Sequence, residues 1–392
     1  MCKKFPFPPR DGEVIAIWHL TQGFARKGHG VIVAALNTRK HFSDPYQLPD
    51  AWKQTARFYA VETDTRIRPA TVLRSMLWTS SLQVERFYSR RFLDLLRHLV
   101  REHPFDIIQL EGSYLLPYVK ELRRHSSAKM VLRSHNVEHQ IWERQATSEP
   151  RRWRRKLLQH LARQLRRHEL KYLNVCDALV PISQDDAAAY RAMGCRLPMH
   201  VCEVGVEVPF QPPPLPETPR LFFIGSLDWS PNSAGLEFFL REHWPGIRAR
   251  FPQLTFHIAG RNSPDWLRNL GGEGVVFHGE VEDARSFMAS GSILIVPVSG
   301  ASGIRVKIAE ALALGRVVVS TPAGALGLPR VSDNPVLIAD GQNDFLSVLS
   351  DLLQSPERLQ QIAARGHAFA KERLDAERLS EQLLLFYKSL LA

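Results

Sequence analysis

Two short, wholly apolar runs, Ile293-Leu-Ile-Val-Pro297 and Val317 to Val319, read as buried strands, and they constrain the fold more than any other part of the chain. Between them a Ser/Gly loop leads into a helical pattern in which Ile304, Ile308, Leu312 and Leu314 share an inner face. Strand, loop, helix, strand is the repeating unit of an α/β protein built on a parallel sheet. The same order recurs elsewhere. A helix over residues 13–27 stops at Gly28-His-Gly30 and feeds the strand Val31-Ile-Val-Ala-Ala-Leu36. Further strands are expected at 58–62, 105–112, 129–135, 177–183, 200–208, 220–225, 254–260, 275–281 and 336–339. Helices are expected over 71–102, 151–171, from 344 and from 356 to the end. The aromatics at helical spacing in the first of these, Trp78, Phe87, Tyr88 and Phe92, read as packing.

At 392 residues the chain is long for one core, so two domains are expected. The Pro-dense stretch 209–219 disfavours helix and central strand alike and is placed as a stiff linker. The division is then 1–208, the linker, a second domain over 220–375, and a last helix over 376–392. A doubly wound domain opens on a strand, yet here a Pro-rich turn at 6–12 arrives almost at once. Either the opening strand of the first domain is missing, or residues 1–5 form a stunted edge strand.

Fifty-one Lys and Arg against 40 Asp and Glu, with pI near 9.7, point to anionic partners. Cys2, Cys176, Cys195 and Cys202 lack metal-type or disulfide-framework spacing, which fits a reducing cytoplasm. No run approaches the ~20 apolar residues of a spanning helix, and the N-terminus lacks the apolar core of a secretory signal.

In the segment after residue 297, Gly300 and Gly303 allow a ligand close to the backbone, and the helix start offers N–H groups to an anion. Arg305 presents a planar fork of donors, Lys307 a mobile point charge, and Glu310 an acceptor for the paired hydroxyls of a ribose. Two cations and a carboxylate over six residues suit a sugar nucleotide; the same spacing also fits a solvated surface helix. In the first half, Glu111 and His135 follow the carboxyl ends of strands, where this architecture places ligands. Glu111 could orient an acceptor hydroxyl or stand as a solvated loop carboxylate.

The segment from Gly303 through Arg305, Lys307, Glu310 and Gly315 to Thr321, with Gly324 and Gly327, resembles the donor-site signature of retaining glycosyltransferases of family 4, which have the GT-B fold. The resemblance implies two Rossmann-like domains facing a cleft, with the last helix crossing back to the first domain. Its matches concentrate between residues 220 and 330. Glu310 matches the family's ribose-binding glutamate. The second family glutamate, eight positions earlier, falls on Ser302, a departure from the pattern. Gly225 and the loop after it match the turn that meets the donor diphosphate. That loop carries no Lys or Arg here, which leaves Arg305, Lys307 and Arg261 to supply the charge. His135 matches the first-domain histidine near the reacting sugar, and Gly12 and Glu13 fall in the loop that faces the acceptor. The expected reaction is transfer of a sugar, of the hexosyl type, from a nucleotide diphosphate sugar to a glycan or lipid-linked acceptor, with retention, as in cell-surface polysaccharide synthesis. No metal and no cofactor are expected beyond the nucleotide sugar as co-substrate.

The most basic stretch, 151–171, has Leu157, Leu158, Leu161, Leu165 and Tyr172 on one stripe with arginines around it. It fits a helix packed on the first domain or one lying on the anionic inner face of a membrane. Nothing in it resembles a nucleic-acid-binding motif, so nucleic acid is not an expected partner. Two other functions share these features: a sugar-nucleotide epimerase, and a non-catalytic membrane-surface module on a decayed transferase fold.

Overall fold

The computed structural model describes residues 1–9, 11–39, 42–66, 81–298, 305–329, 334–341 and 344–392, and the chain divides into two compact units. Met1–Glu203 joins Glu377–Ala392 in the first, and Val204–Ala376 forms the second. Trp78 lies outside the described residues.

In the first unit β1 (Ile32–Thr38) pairs in parallel with β2 (Arg57–Thr63), and β3 (Ile107–Glu111), β4 (Lys129–Ser134) and β5 (Ala178–Pro181) form a parallel ladder in that order. Cys2 joins the two groups, bridging in parallel to Ala35 of β1 and Glu111 of β3. Its amide donates to the Ala34 carbonyl at 2.8 Å and its carbonyl accepts from Leu36 at 3.0 Å. On the other side Glu111 N–H donates to the Met1 carbonyl at 2.9 Å, and the Met1 ammonium donates to the Gln109 carbonyl at 2.7 Å. Of the expected stunted strand over residues 1–5 only Cys2 pairs, and it lies between β1 and β3, not at an edge. A cavity of about 300 Å³ continues the slot, flanked by the starts of β1 and β3 and lined by Leu20, Leu96, Leu99 and Leu384.

Helix α1 (Gly12–Arg26) starts where the Asp11 carboxylate accepts from Val14 N–H at 3.1 Å, satisfying one of the orphan donors of its first turn. Helix α2 (Arg90–Glu102) is capped in the same way by Ser89 and buries Phe92, Leu93, Leu96 and Leu99. Helix α3 (Glu138–Ser148) lacks a side-chain cap of its own. The cap comes from α4 (Arg152–Tyr172): Glu169 accepts from Glu138 N–H at 2.9 Å and from His139 N–H at 3.2 Å, and meets His139 Nδ1 at 2.5 Å. The basic helix thus packs by its C-terminal half, burying Ala162, Leu165, His168 and Glu169. Its N-terminal half does not follow the expected stripe, since Leu157 is 45% exposed beside a Trp153 that is 64% exposed. The C-terminal helix, Ala376–Leu391, buries Leu379, Leu383 and Tyr387 against Leu20, Val131 and Val180 of this unit.

The second unit holds a six-stranded parallel sheet in the order β11-β10-β9-β6-β7-β8, where β6 is Arg220–Ile224, β7 Thr255–Ala259, β8 Val275–Gly279, β9 Ile293–Val296, β10 Val317–Ser320 and β11 Val336–Ile338. The order reverses direction at β6/β9, the switch point beyond whose carboxyl ends such sheets bind ligands. Helix α5 (Ser230–Phe238) follows β6, and α6 (Val306–Ala313) runs between β9 and β10 with Ile308, Ala309, Ala311 and Leu312 buried.

Residues 200–208 form no strand. Only Val206 makes an isolated bridge there, to Asp375, because this stretch spans the passage between units at 203/204. The Pro-dense stretch lies beyond that passage and is held within the second unit. The fully buried Arg316 guanidinium donates to the carbonyls of Pro213, Pro214 (3.2 Å), Ala289 (3.1 Å), Gly291 (3.1 Å) and Leu314 (2.9 Å).

Candidate active site

In the second unit the residues at the ends of β6 and β7 and at the start of α6 converge. A Cβ on Gly260 would stand 2.0 Å from the Gly225 carbonyl oxygen, and one on Gly225 would stand 3.0 Å from Asn232 Nδ2 and 3.3 Å from Lys307 Nζ. Glycine at both positions is what lets the strand ends and the lysine crowd together. Lys307 Nζ donates to Asn232 Oδ1 at 3.2 Å and stands 3.8 Å from the centre of the Phe223 ring. The Asn232 amide is turned that way because its nitrogen donates to the Ser226 carbonyl at 2.8 Å. Arg305 sits at the N-cap of α6, buried, its guanidinium carbon 5.3 Å from the centre of the Trp229 ring. Arg261 donates from Nε to Ser226 Oγ at 3.1 Å, which ties it to the same loop.

Burial, and then the neighbouring Arg305 charge, push the Lys307 ammonium well below its ordinary pKa. Among the described residues no carboxylate pairs with Lys307. A half-buried ammonium next to a guanidinium favours an anion beside it. One turn further along α6, burial raises the Glu310 carboxyl to about 7, opposed only by Arg285. Ser302 and Gly303 lie outside the described residues. Among the described residues no group of three or more His, Cys, Asp and Glu side chains is placed to hold a metal ion.

In the first unit His135 follows β4 and is 6% exposed. Its Nε2 meets Glu111 Oε2 at 2.6 Å, and Arg133 Nη1 donates to the same oxygen at 3.2 Å. Glu111 Oε1 accepts from Gln109 Nε2, and Gln109 Oε1 accepts from the Tyr387 hydroxyl. Burial alone would raise the Glu111 carboxyl, but Arg133 and then His135 outweigh it and hold it at about 2. Both Glu111 oxygens are thus engaged within the protein, and Glu111 is buried, not the solvated loop carboxylate that its position also allowed. Gly12 is the first residue of α1, and Glu13 beside it receives Lys3 at 3.3 Å and Lys4 at 3.2 Å on Oε2. Burial raises the Glu13 carboxyl, but Lys3, Lys4 and His135 together depress it below the usual range. Its Oε1 is buried with no hydrogen-bond partner among the described residues.

The structure therefore gathers Gly225, Arg261, Arg305 and Lys307 in one unit and Glu13, Glu111 and His135 in the other. Sequence reasoning missed Asn232 and Phe223 around Lys307, Trp229 beside Arg305, and Gln109, Arg133 and Tyr387 behind His135. The Ser-Pro-Asn run that opens α5 was visible, but nothing in it marked Asn232 as the partner of a lysine 75 residues away.

Two family models match the chain: that of the glycosyl transferase 4-like domain over residues 11–205, and that of glycosyl transferases group 1 over residues 218–355. The chain belongs to the family 4 type of glycosyltransferase, with the GT-B fold. No curated protein matches it in sequence. Among solved structures it is similar to sucrose-phosphate synthase from Thermosynechococcus elongatus, with a TM-score of 0.70 at 17% identity over 97% of this chain and 94% of that one. It is similar to Anabaena HepE, crystallised with UDP and glucose and with UDP-glucose; for the former the TM-score is 0.67 at 14% identity over 99% of this chain and 98% of that one. A glycosyltransferase from Rickettsia africae gives a TM-score of 0.63 at 12% identity over 100% of this chain and 98% of that one. At these identities the likeness is one of fold.

Proposed function

We propose that the enzyme transfers a sugar, of the hexosyl type, from a nucleotide diphosphate sugar to a glycan or lipid-linked acceptor, with retention of anomeric configuration. The observation that carries this reading is the Lys307 ammonium, half-buried beside the buried Arg305 and without a carboxylate partner among the described residues. A diphosphate supplies the missing anion, and the start of α6 adds its N–H groups. Glu310 accepts from the ribose hydroxyls, Gly225 lets the phosphates approach the backbone, and Arg261 lies close enough to assist. Ser302 and Gly303 precede this helix start and complete the donor loop. The HepE complexes with UDP and UDP-glucose support the donor class, and the likeness of the 303–321 segment to retaining enzymes supports the stereochemistry.

As the glycosidic bond breaks, negative charge builds on the leaving diphosphate. Lys307, Arg305 and the helix start stabilise that charge without a metal. His135 is the first unit's contribution at the reacting sugar, where an imidazole can hold a hydroxyl or offset developing charge. Gly12 and Glu13 hold the acceptor, with Glu13 Oε1 accepting from its hydroxyl. The exposed Trp153 and Leu157, ringed by arginines on α4, suit an anionic membrane surface that carries a lipid-linked acceptor. A role in cell-surface polysaccharide synthesis inside the cytoplasm follows from that acceptor class, and nucleic acid has no part in it.

A panel of UDP-, GDP- and ADP-sugars tests the reading. Saturable binding of one donor with slow hydrolysis in the absence of acceptor is expected. Release of an altered donor sugar would indicate an epimerase, and vesicle binding with no donor binding would indicate a non-catalytic module.

A further inference from the structure

His135 is held from behind by side chains that come from three places in the first unit. Glu111 ends β3, Arg133 lies two residues before His135 on β4, and Tyr387 is on the C-terminal helix. Arg133 beside it keeps Glu111 a carboxylate, which can only accept hydrogen bonds. The short contact from His135 Nε2 to Glu111 Oε2, 2.6 Å, therefore puts the ring proton on Nε2. In the neutral ring the lone pair is then on Nδ1. The carboxylate is itself kept from turning: its other oxygen accepts from the Gln109 amide nitrogen. That amide has one orientation because the carboxylate can only accept, and the amide oxygen is held in turn by the Tyr387 hydroxyl, which donates to it.

We infer that Tyr387, Gln109 and Glu111 form a positioning chain that fixes His135 in the tautomer whose Nδ1 accepts a hydrogen bond from a sugar hydroxyl. This rests on the reading of His135 as the residue at the reacting sugar. None of the three positioning residues touches substrate; they act through the imidazole, as the carboxylate behind a catalytic histidine does elsewhere. Without the tyrosine hydroxyl the amide oxygen loses its donor, and the amide that steadies Glu111 is held less firmly. The carboxylate then moves off, and the ring loses its preferred tautomer.

The test uses the full chain with histidine labelled on both ring nitrogens, and Tyr387→Phe, which removes one hydroxyl and keeps the ring packing. Glu111→Gln is the second variant. In the unaltered protein the nitrogen spectrum is expected to show His135 protonated on Nε2 alone, and in both variants a mixture of tautomers. Donor KM should stay within about twofold, while kcat falls roughly three- to tenfold in Tyr387→Phe and at least tenfold in Glu111→Gln. An Nδ1-protonated His135 in the unaltered protein, or a tautomer unmoved by Tyr387→Phe, overturns the inference. Full kcat in Glu111→Gln when His135→Ala has lost activity overturns it as well. Full activity in His135→Ala defeats instead the reading of His135 at the sugar, and the tautomer spectrum alone then decides the positioning chain.

Discussion

The proposed function puts the Glu310 carboxyl of α6 on a ligand, and Glu310→Gln should expose what its burial costs the fold. Burial raises it from 4.5 to about 7, with only Arg285 opposing. Because its folded pKa lies above its unfolded one, the unfolded chain gives up the proton first as pH rises. The folded state is then penalised progressively between about 4.5 and 7, and fully above 7. A separation of that size amounts to about 3 kcal/mol, and partial contact with water trims it to about 2–3 kcal/mol. Glutamine keeps the shape and carries no charge, so the variant without ligand should be more stable than the parent at pH 8, by roughly 4–10 °C in melting temperature for a domain of this size. Near pH 4 the two should melt together. Thermal melts at both pH values, monitored by tryptophan fluorescence, measure the gap. Equal melting temperatures at pH 8, or a gap that persists at pH 4, would refute the reasoning. Such a gain in stability should come with weaker nucleotide binding, the usual exchange at a site shaped for a ligand.

Lys307→Ala removes one charge-assisted contact to the donor, about 1.5–3 kcal/mol, and should slow transfer at least tenfold in a donor-saturation assay; an unchanged rate removes Lys307 from the site. Arg316→Met leaves the carbonyls of Pro213, Pro214, Ala289, Gly291 and Leu314 without their shared donor. At about 1–3 kcal/mol for each acceptor left unsatisfied, and with some relaxation toward water, urea unfolding should show a loss of at least about 3 kcal/mol. A loss under about 1 kcal/mol would mean that the Pro-dense stretch does not depend on this clamp. Trp153→Ala with Leu157→Ala removes the exposed apolar surface of α4 and should weaken co-sedimentation with anionic vesicles at an unchanged melting temperature. Undiminished sedimentation would take the helix away from the membrane.

The strands were legible because a parallel strand covered on both faces must be apolar along its length, as 293–296 and 317–319 are. The central stub at Cys2 was not, since a single bridging residue leaves no periodic trace. Residues 200–208 carry strand-like valines, but only a register of partners makes a strand, and Val206 finds just one. In the donor region the charges of Arg305, Lys307 and Glu310 were readable because they share one short helix. Asn232 and Phe223, which set the lysine's position, come from β6 and α5, and local spacing carries no record of that meeting. Glu111 shows the same limit from the other side. Its place after a strand suggested a ligand contact, and only the convergence of Gln109, Arg133 and His135 reveals the partners its oxygens already have. The Leu stripe of α4 failed for a related reason: the tertiary contact at Glu169 anchors one half of the helix and leaves Leu157 in water.

The central claim is that α6 and the turn after β6 hold a nucleotide diphosphate. A crystal structure of the chain soaked with the donor that binds in the sugar-nucleotide panel tests it most directly. The account predicts Lys307 Nζ and the Arg305 guanidinium at roughly 2.7–2.9 Å from diphosphate oxygens, with the Glu310 carboxylate on the ribose hydroxyls. A nucleotide bound elsewhere, with those three side chains turned away from it, would contradict it.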